Sequence, residues 1–285
     1  MDRREFLQKS ACAMIPLAGS CLLGIHPALA SALSHDSEKV DGVSRMTPSF
    51  HFEGFNERIQ AYIVARYYAR LTGVFGQQGR EAFLLATRTY AEQRGHRMAQ
   101  RAIADGKPLT VETYHEYGEW VPTEESIRKG ESIENQVLWD EPYYTFRVKR
   151  CPWAIQFREM GMREAGLAYC KDLDASIYRG FNPHIDYETR QTLHDHDCCI
   201  QCAPGARMTA EAHSRPKRKS SLRPFEYHCA HSYWTFRQIV VSIFGDRGIA
   251  LSDDVLNDVG RNLGDTYVAA LKKYEKEDFD VAANV

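Results

Sequence analysis

The sequence predicts an α+β fold, with helical N-terminal and C-terminal segments packed around a small antiparallel sheet. Three observations carry this reading. Apolar residues recur at helical spacing before residue 106 and again after residue 225. Between them, Tyr143-Tyr144-Thr145-Phe146-Arg147-Val148-Lys149 alternates and is rich in β formers. Helices bracket the strands rather than alternate with them, and no solenoid-type repeat is visible.

The chain begins with an export leader. Arg3-Arg4, then Phe6-Leu7, Lys9 and an apolar run over residues 11–25 make a twin-arginine signal. The run is too short for the ~20 apolar residues of a membrane span. Small residues in Ala28-Leu29-Ala30 place cleavage after Ala30. A lipoprotein cut before Cys21 is the alternative, although Ala18 stands where a larger aliphatic is usual. The predicted organisation is therefore a twin-arginine signal peptide over 1–30, a linker over 31–50 and a single α+β domain over 51–285. The protein would be periplasmic or otherwise exported, with the twin-arginine translocase as its partner during export.

The elements follow in order. Residues 56–72 and 79–105 read as helices, punctuated by Gly73 and Gly76 and closed by Gly106. Gly95 interrupts the second, which makes a close helix crossing plausible there. Residues 108–122 hold a short helix. A strand over 143–149 ends at Cys151, and Pro152 opens a helix that runs through Leu173 toward Gly180. Residues 188–202 read as a strand or hairpin arm. Residues 205–224 form a basic loop, either solvated or a lid or docking surface for an anion. A helix over 225–244 ends at Gly245, and Ser252 caps a last helix over 253–276.

Composition bounds the function. With 285 residues, 44% hydrophobic and 26% charged, the chain reads as an ordinary globular protein, and a net charge of −2 gives no sign of a nucleic-acid partner. Oligomeric state is not legible. No glycine-rich phosphate loop, GxSxG elbow or HExxH is present, which weakens nucleotide-dependent, serine-hydrolase and zincin readings.

The chemistry gathers in residues 151–202, which hold five of the eight cysteines. Cleavage of the leader would leave six cysteines, a number that allows 15 disulfide pairings. A domain this size needs no disulfide staples, so some of these thiols are candidate site residues. Cys151 precedes Pro152 at a helix start, where the helix dipole would stabilise a thiolate. Cys170 and Asp174 share a helix face at i and i+4. His228 and His231 share a face at i and i+3, which suits acid–base or metal work. In a strand, His194, His196 and Cys198 would point one way and make a zinc-type trio. Cys199 and Cys202 form a lone CxxC, read as half of a metal site, a redox pair, a local disulfide or incidental spacing. The sequence names no cofactor; a zinc-type metal ion is the one it leaves open.

Cys151-Pro152-Trp153-Ala154, Tyr169-Cys170 with Asp174, Gly180-Phe181-Asn182-Pro183, Thr192-Leu193 and Cys198 together resemble the L-2-amino-thiazoline-4-carboxylic acid hydrolase family. Arg94-Gly95, the run Glu226 to His231 and Tyr233-Trp234 fit the same pattern. The resemblance implies a hydrolase acting on a carbon–nitrogen bond of a small cyclic amidine, opening a 2-amino-thiazoline-4-carboxylate-like ring. It implies Cys170 as nucleophile, His228 or His231 as general base, and Asp174 to orient the imidazole or hold the cationic amidine. Cys151, Trp153, Asn182 and Cys198 would contact the small-molecule substrate. A fainter resemblance to vinyl-reductase-like sensor domains aligns His194-Asp195 and Cys198 with a Gly-Asp-x-x-Cys-x-Phe pattern. It implies the alternative: a non-catalytic periplasmic protein that binds a ligand, metal or tetrapyrrole, or serves as a redox accessory.

Overall fold

The computed structural model describes residues 50–283. The predicted leader, with its Ala30 and Cys21 cleavage alternatives, and nearly all of the linker lie outside the described residues. In order, the elements are α1 (Glu57–Ala104), α2 (Val111–Glu116), α3 (Glu124–Arg128), β1 (Glu134–Trp139), β2 (Tyr143–Arg150), α4 (Pro152–Glu159) and α5 (Arg163–Phe181). There follow β3 (Glu188–Gln191), β4 (Cys199–Pro204), α6 (Ala210–Ser214), a 3₁₀ turn at Lys219–Ser221, α7 (Phe225–Phe244), α8 (Asp246–Leu263) and α9 (Asp265–Lys272). The α+β class is as the sequence predicts. No helix among the described residues is long and apolar enough to cross a membrane.

Helix α1 is the spine. Asn56 caps it by accepting from the amides of Arg58 and Ile59. Gly76, at φ 55°, kinks it between the two predicted helical segments. Its apolar face packs on α5 and α7, with Ile59, Ile63, Tyr67, Leu71, Phe83, Tyr90 and Met98 in one core. The crossing with α5 is close because two glycines meet there. A β-carbon on Gly95 would stand 2.2 Å from the Ile177 carbonyl oxygen, and one on Gly180 would stand 2.3 Å from that of Glu92.

The sheet is antiparallel in the order β1-β2-β4-β3. Pairing Val148 with Cys199, Phe146 with Gln201 and Tyr144 with Ala203 puts these residues on one face. Thr145 and Cys202 oppose one another on the other face, where the Thr145 hydroxyl donates to the Cys202 sulfur at 3.2 Å.

Four local expectations are corrected. Residues 134–139, for which the sequence reading proposed no strand, pair as β1. The helix over 154–180 is two helices, broken at Gly161 with φ 67°. Ser252 caps nothing; it is buried inside α8, which starts at Asp246 after Gly245, and Gly264 at φ 111° separates α9. Residues 193–198 form a tight turn between β3 and β4 rather than strand.

Candidate active site

The turn is what builds the site. Asp195 accepts from the Thr192 amide at 2.9 Å and hydroxyl at 2.7 Å, closing a small loop that aims His194 inward. The backbone carbonyl of His194 accepts from Arg163 Nε. Its ring meets Phe157 edge-on at 5.6 Å and lies over Gly166 of α5. One helical turn further along α5, His194 Nε2 reaches the Cys170 sulfur at 3.3 Å. This thiol–imidazole pair was not foreseen; the i, i+4 spacing of Gly166 and Cys170 was its only sequence trace.

Cys170 opens into a cavity of about 210 Å³ between α5, the sheet and the start of α4. Cys151, Trp153, Asp174, Cys199, Gln201 and Thr189 line it, with Arg94 from α1 and Lys217 from the basic loop. Asp174 accepts from Gln201 Nε2 at 2.8 Å. Burial raises its pKa, against the Gln201 bond and the nearby Arg94 charge. Arg94 Nε is buried without a hydrogen-bond partner, and so is the Thr189 hydroxyl. Both are polar groups held ready for a ligand.

Burial sets the electrostatics of the thiols. It drives Cys170 well above the usual thiol range, helped by Cys151, Cys199 and Asp174. It pushes Cys199 up to about 12 and Cys151 up to about 11. At Cys151 the amides of Ala154 and Trp153 pull the other way, so the helix start acts in the expected direction but burial outweighs it. Burial also lowers His194 to about 4. At neutral pH the pair is therefore a protonated thiol beside a neutral imidazole.

Several expected site residues stand elsewhere. His228 and His231 do share one side of α7, but that side faces the core. His228 Nε2 is 3.2 Å from the Glu119 carbonyl, and His231 Nε2 is 2.9 Å from Gln93 Oε1. Neither lines the cavity that holds Cys170. Asp174 orients no histidine; its partner is Gln201. Asn182 ends α5, where it donates to the Leu109 carbonyl at 2.8 Å and accepts from the His184 amide, away from the cavity.

The expected zinc-type trio is taken apart by the turn. His194 points to Cys170, exposed His196 lies beside Asp195, and Cys198 accepts from Gln191. Among the described residues no group of three or more His, Cys, Asp or Glu side chains is placed to hold a metal ion. Cys199, not Cys198, reaches the cavity. The CxxC does not pair, because i and i+3 fall on opposite faces of β4. All six cysteines from Cys151 to Cys229 are free thiols. Cys151 and Trp153 do line the cavity, as expected, and Trp153 Nε1 donates to Gln60 at 3.0 Å.

Fold and site define an α+β protein with a small, thiol-lined cavity of the kind that holds a small molecule. The chain belongs to the L-2-amino-thiazoline-4-carboxylic acid hydrolase family, whose model matches residues 56–201, just over half of the sequence. That family is named for a hydrolase of a small molecule. The match covers Arg94, Cys151, Cys170, Asp174, His194 and Cys199, and ends before Lys217, His228 and His231. No curated protein and no solved structure matches the chain.

Proposed function

We propose that the protein is an exported hydrolase that opens a small cyclic amidine of the 2-amino-thiazoline-4-carboxylate type, with Cys170 as nucleophile and His194 as its base. The observation that carries this is the 3.3 Å contact between His194 Nε2 and Cys170; Cys170 lines the cavity, and His194 reaches it from an adjoining pocket that shares Cys151 with the cavity. A neutral imidazole within hydrogen-bond reach of a thiol is the arrangement that activates a cysteine nucleophile. Asp174 faces the same space and suits the cationic amidine.

The steps balance as follows. Cys170 sulfur attacks the amidine carbon while His194 takes the thiol proton. The ring carbon–sulfur bond breaks, and the departing sulfur takes the proton from His194. The ring-opened substrate is then held on Cys170 as an isothiourea. Water, losing its proton to His194, adds to the same carbon. Cys170 leaves and regains its proton, and the product is an N-carbamoyl amino acid bearing a free thiol. Net consumption is one water. A product that keeps both nitrogens requires carbon–sulfur cleavage, which revises the carbon–nitrogen expectation from the sequence. Loss of the exocyclic nitrogen would instead release ammonia.

Size supports a small ring. A cavity of about 210 Å³ is below the roughly 300–1,000 Å³ of sites for drug-sized ligands. The test is to incubate the purified protein with 2-amino-thiazoline-4-carboxylate. Stoichiometric thiol release without ammonia is expected. Ammonia without thiol overturns the proposed bond cleavage, and release of neither overturns the hydrolase reading.

A further inference from the structure

The strap over residues 215–224 contributes one side chain to the cavity, and its placement is built in detail. Lys217 passes against Gly118, where a β-carbon would stand 2.9 Å from Lys217 Cε. Its Nζ donates to the Trp120 carbonyl at 2.7 Å and lies 4.8 Å from the centre of the Trp120 ring. The next residue fastens the strap: Arg218 pairs with Asp105 at 2.7 Å, donates to the Tyr117 hydroxyl at 2.6 Å, and donates its backbone amide to the Glu116 carbonyl. The lysine is thus inserted rather than draped.

Insertion leaves Lys217 without a carboxylate partner among the described residues; its Nζ donates to a backbone carbonyl instead. Burial lowers Lys217 to about 7, and the charge of Arg94 lowers it further rather than relieving it. Arg94 shares the cavity, and its buried Nε lacks a partner. Among the described residues Asp174 is the one carboxylate lining the cavity, and it is bonded to Gln201. The Arg94 guanidinium and the Lys217 amine, which is only partly charged near neutral pH, therefore converge on a small cavity with one carboxylate between them among the described residues. A buried charge persists when its counter-charge arrives with a ligand.

We propose that Lys217 and Arg94 form the carboxylate-binding end of this cavity and select ring substrates that carry a carboxylate. Asp174 and Thr189 are left to the amidine end. The inference rests on the ring-opening reading for the identity of the ring, but not for the existence of the anion site. Arg94 supplies a planar fork suited to a carboxylate, and Lys217 supplies a point charge. Both are proposed to bind the carboxylate itself, at the end of the cavity away from the amidine.

The test measures binding, not turnover. Cys170→Ser protein is titrated calorimetrically with 2-amino-thiazoline-4-carboxylate and with 2-amino-thiazoline, which lacks the carboxylate. Adding Lys217→Met should weaken the carboxylate compound by roughly 10- to 100-fold, as expected for one charge-assisted contact, and leave the other compound unchanged. Lys217→Arg keeps the charge and should bind the carboxylate compound within about threefold of the parent, since a retained charge retains most of the contact. Equal weakening of both compounds, no weakening of either, or an Arg variant as poor as the Met variant overturns the proposal. If the wild type opens neither ring while Lys217 still controls carboxylate binding, the hydrolase reading falls and the anion site stands.

Discussion

A β-carbon at Gly166 would stand 2.3 Å from Cε1 of His194, so the imidazole occupies the space where any other residue would place its side chain. The absence of a side chain at Gly166 lets the ring lie flat on α5 and reach Cys170 one turn away. The Cys170–His194 contact thus depends on a residue with no functional group.

Gly166→Ala should therefore lower kcat/KM by about 100-fold, the loss typical of a misplacement near 1 Å. α5 itself should persist, because alanine favours helix over glycine. Circular dichroism unchanged and activity lost is the expected pair of results.

Replacing His194 by Asn should lower kcat by about 10²–10⁴, the usual contribution of a general base. His228→Gln should leave kcat within a few-fold of the parent once folding is controlled, since His228 lies off the cavity and bonds to the Glu119 carbonyl. Steady-state kinetics on the two variants compares the structural assignment with the expectation from sequence.

Acid should destabilise the protein below pH 6.5. His194 is held near 4 by burial, while in the unfolded chain it titrates near 6.5. Between those values the unfolded state binds the extra proton, so stability is full above about 6.5 and falls as pH drops toward about 4. The loss attributable to His194 is roughly 3 kcal/mol at ~1.4 kcal/mol per pKa unit. Urea midpoints across this window should show a slope that flattens in His194→Asn. The same low value places the acid limb of kcat/KM closer to pH 4 than to 6.5.

Gly95→Ala should destabilise by about 1–3 kcal/mol or more, the range for overpacking. Its β-carbon would meet backbone atoms of α5, which cannot swing aside as a side chain can. The denaturation midpoint measures the effect.

Much of the fold was legible because local rules and packing agree. The helical spacing of α1, the glycine at its crossing, the β2 alternation and Gly245 as a stop all read directly. The site was legible by residue type but not by partner. Cys151, Cys170, Asp174 and Trp153 share the cavity as expected. The expectation of a base at His228 or His231 came from their clear helical spacing, whereas His194, the imidazole that contacts Cys170, sits in an irregular turn whose shape depends on Asp195 and Thr192. The same turn moved Cys198 out of the cavity and Cys199 in, since a change of register reverses which strand face a residue occupies. Arg94 and Lys217 come from elements far apart in sequence, and no local pattern joins them.

The central claim is that Cys170 attacks the amidine carbon. Intact-mass spectrometry of protein mixed with 2-amino-thiazoline-4-carboxylate and quenched early tests it most directly, using the slowed Gly166→Ala variant if the wild type turns over too fast. The account predicts a gain equal to the whole substrate, because ring opening expels nothing, and peptide mapping should place that gain on Cys170. Full turnover by Cys170→Ala, or an adduct mapped to Cys151 or Cys199 instead, would contradict it.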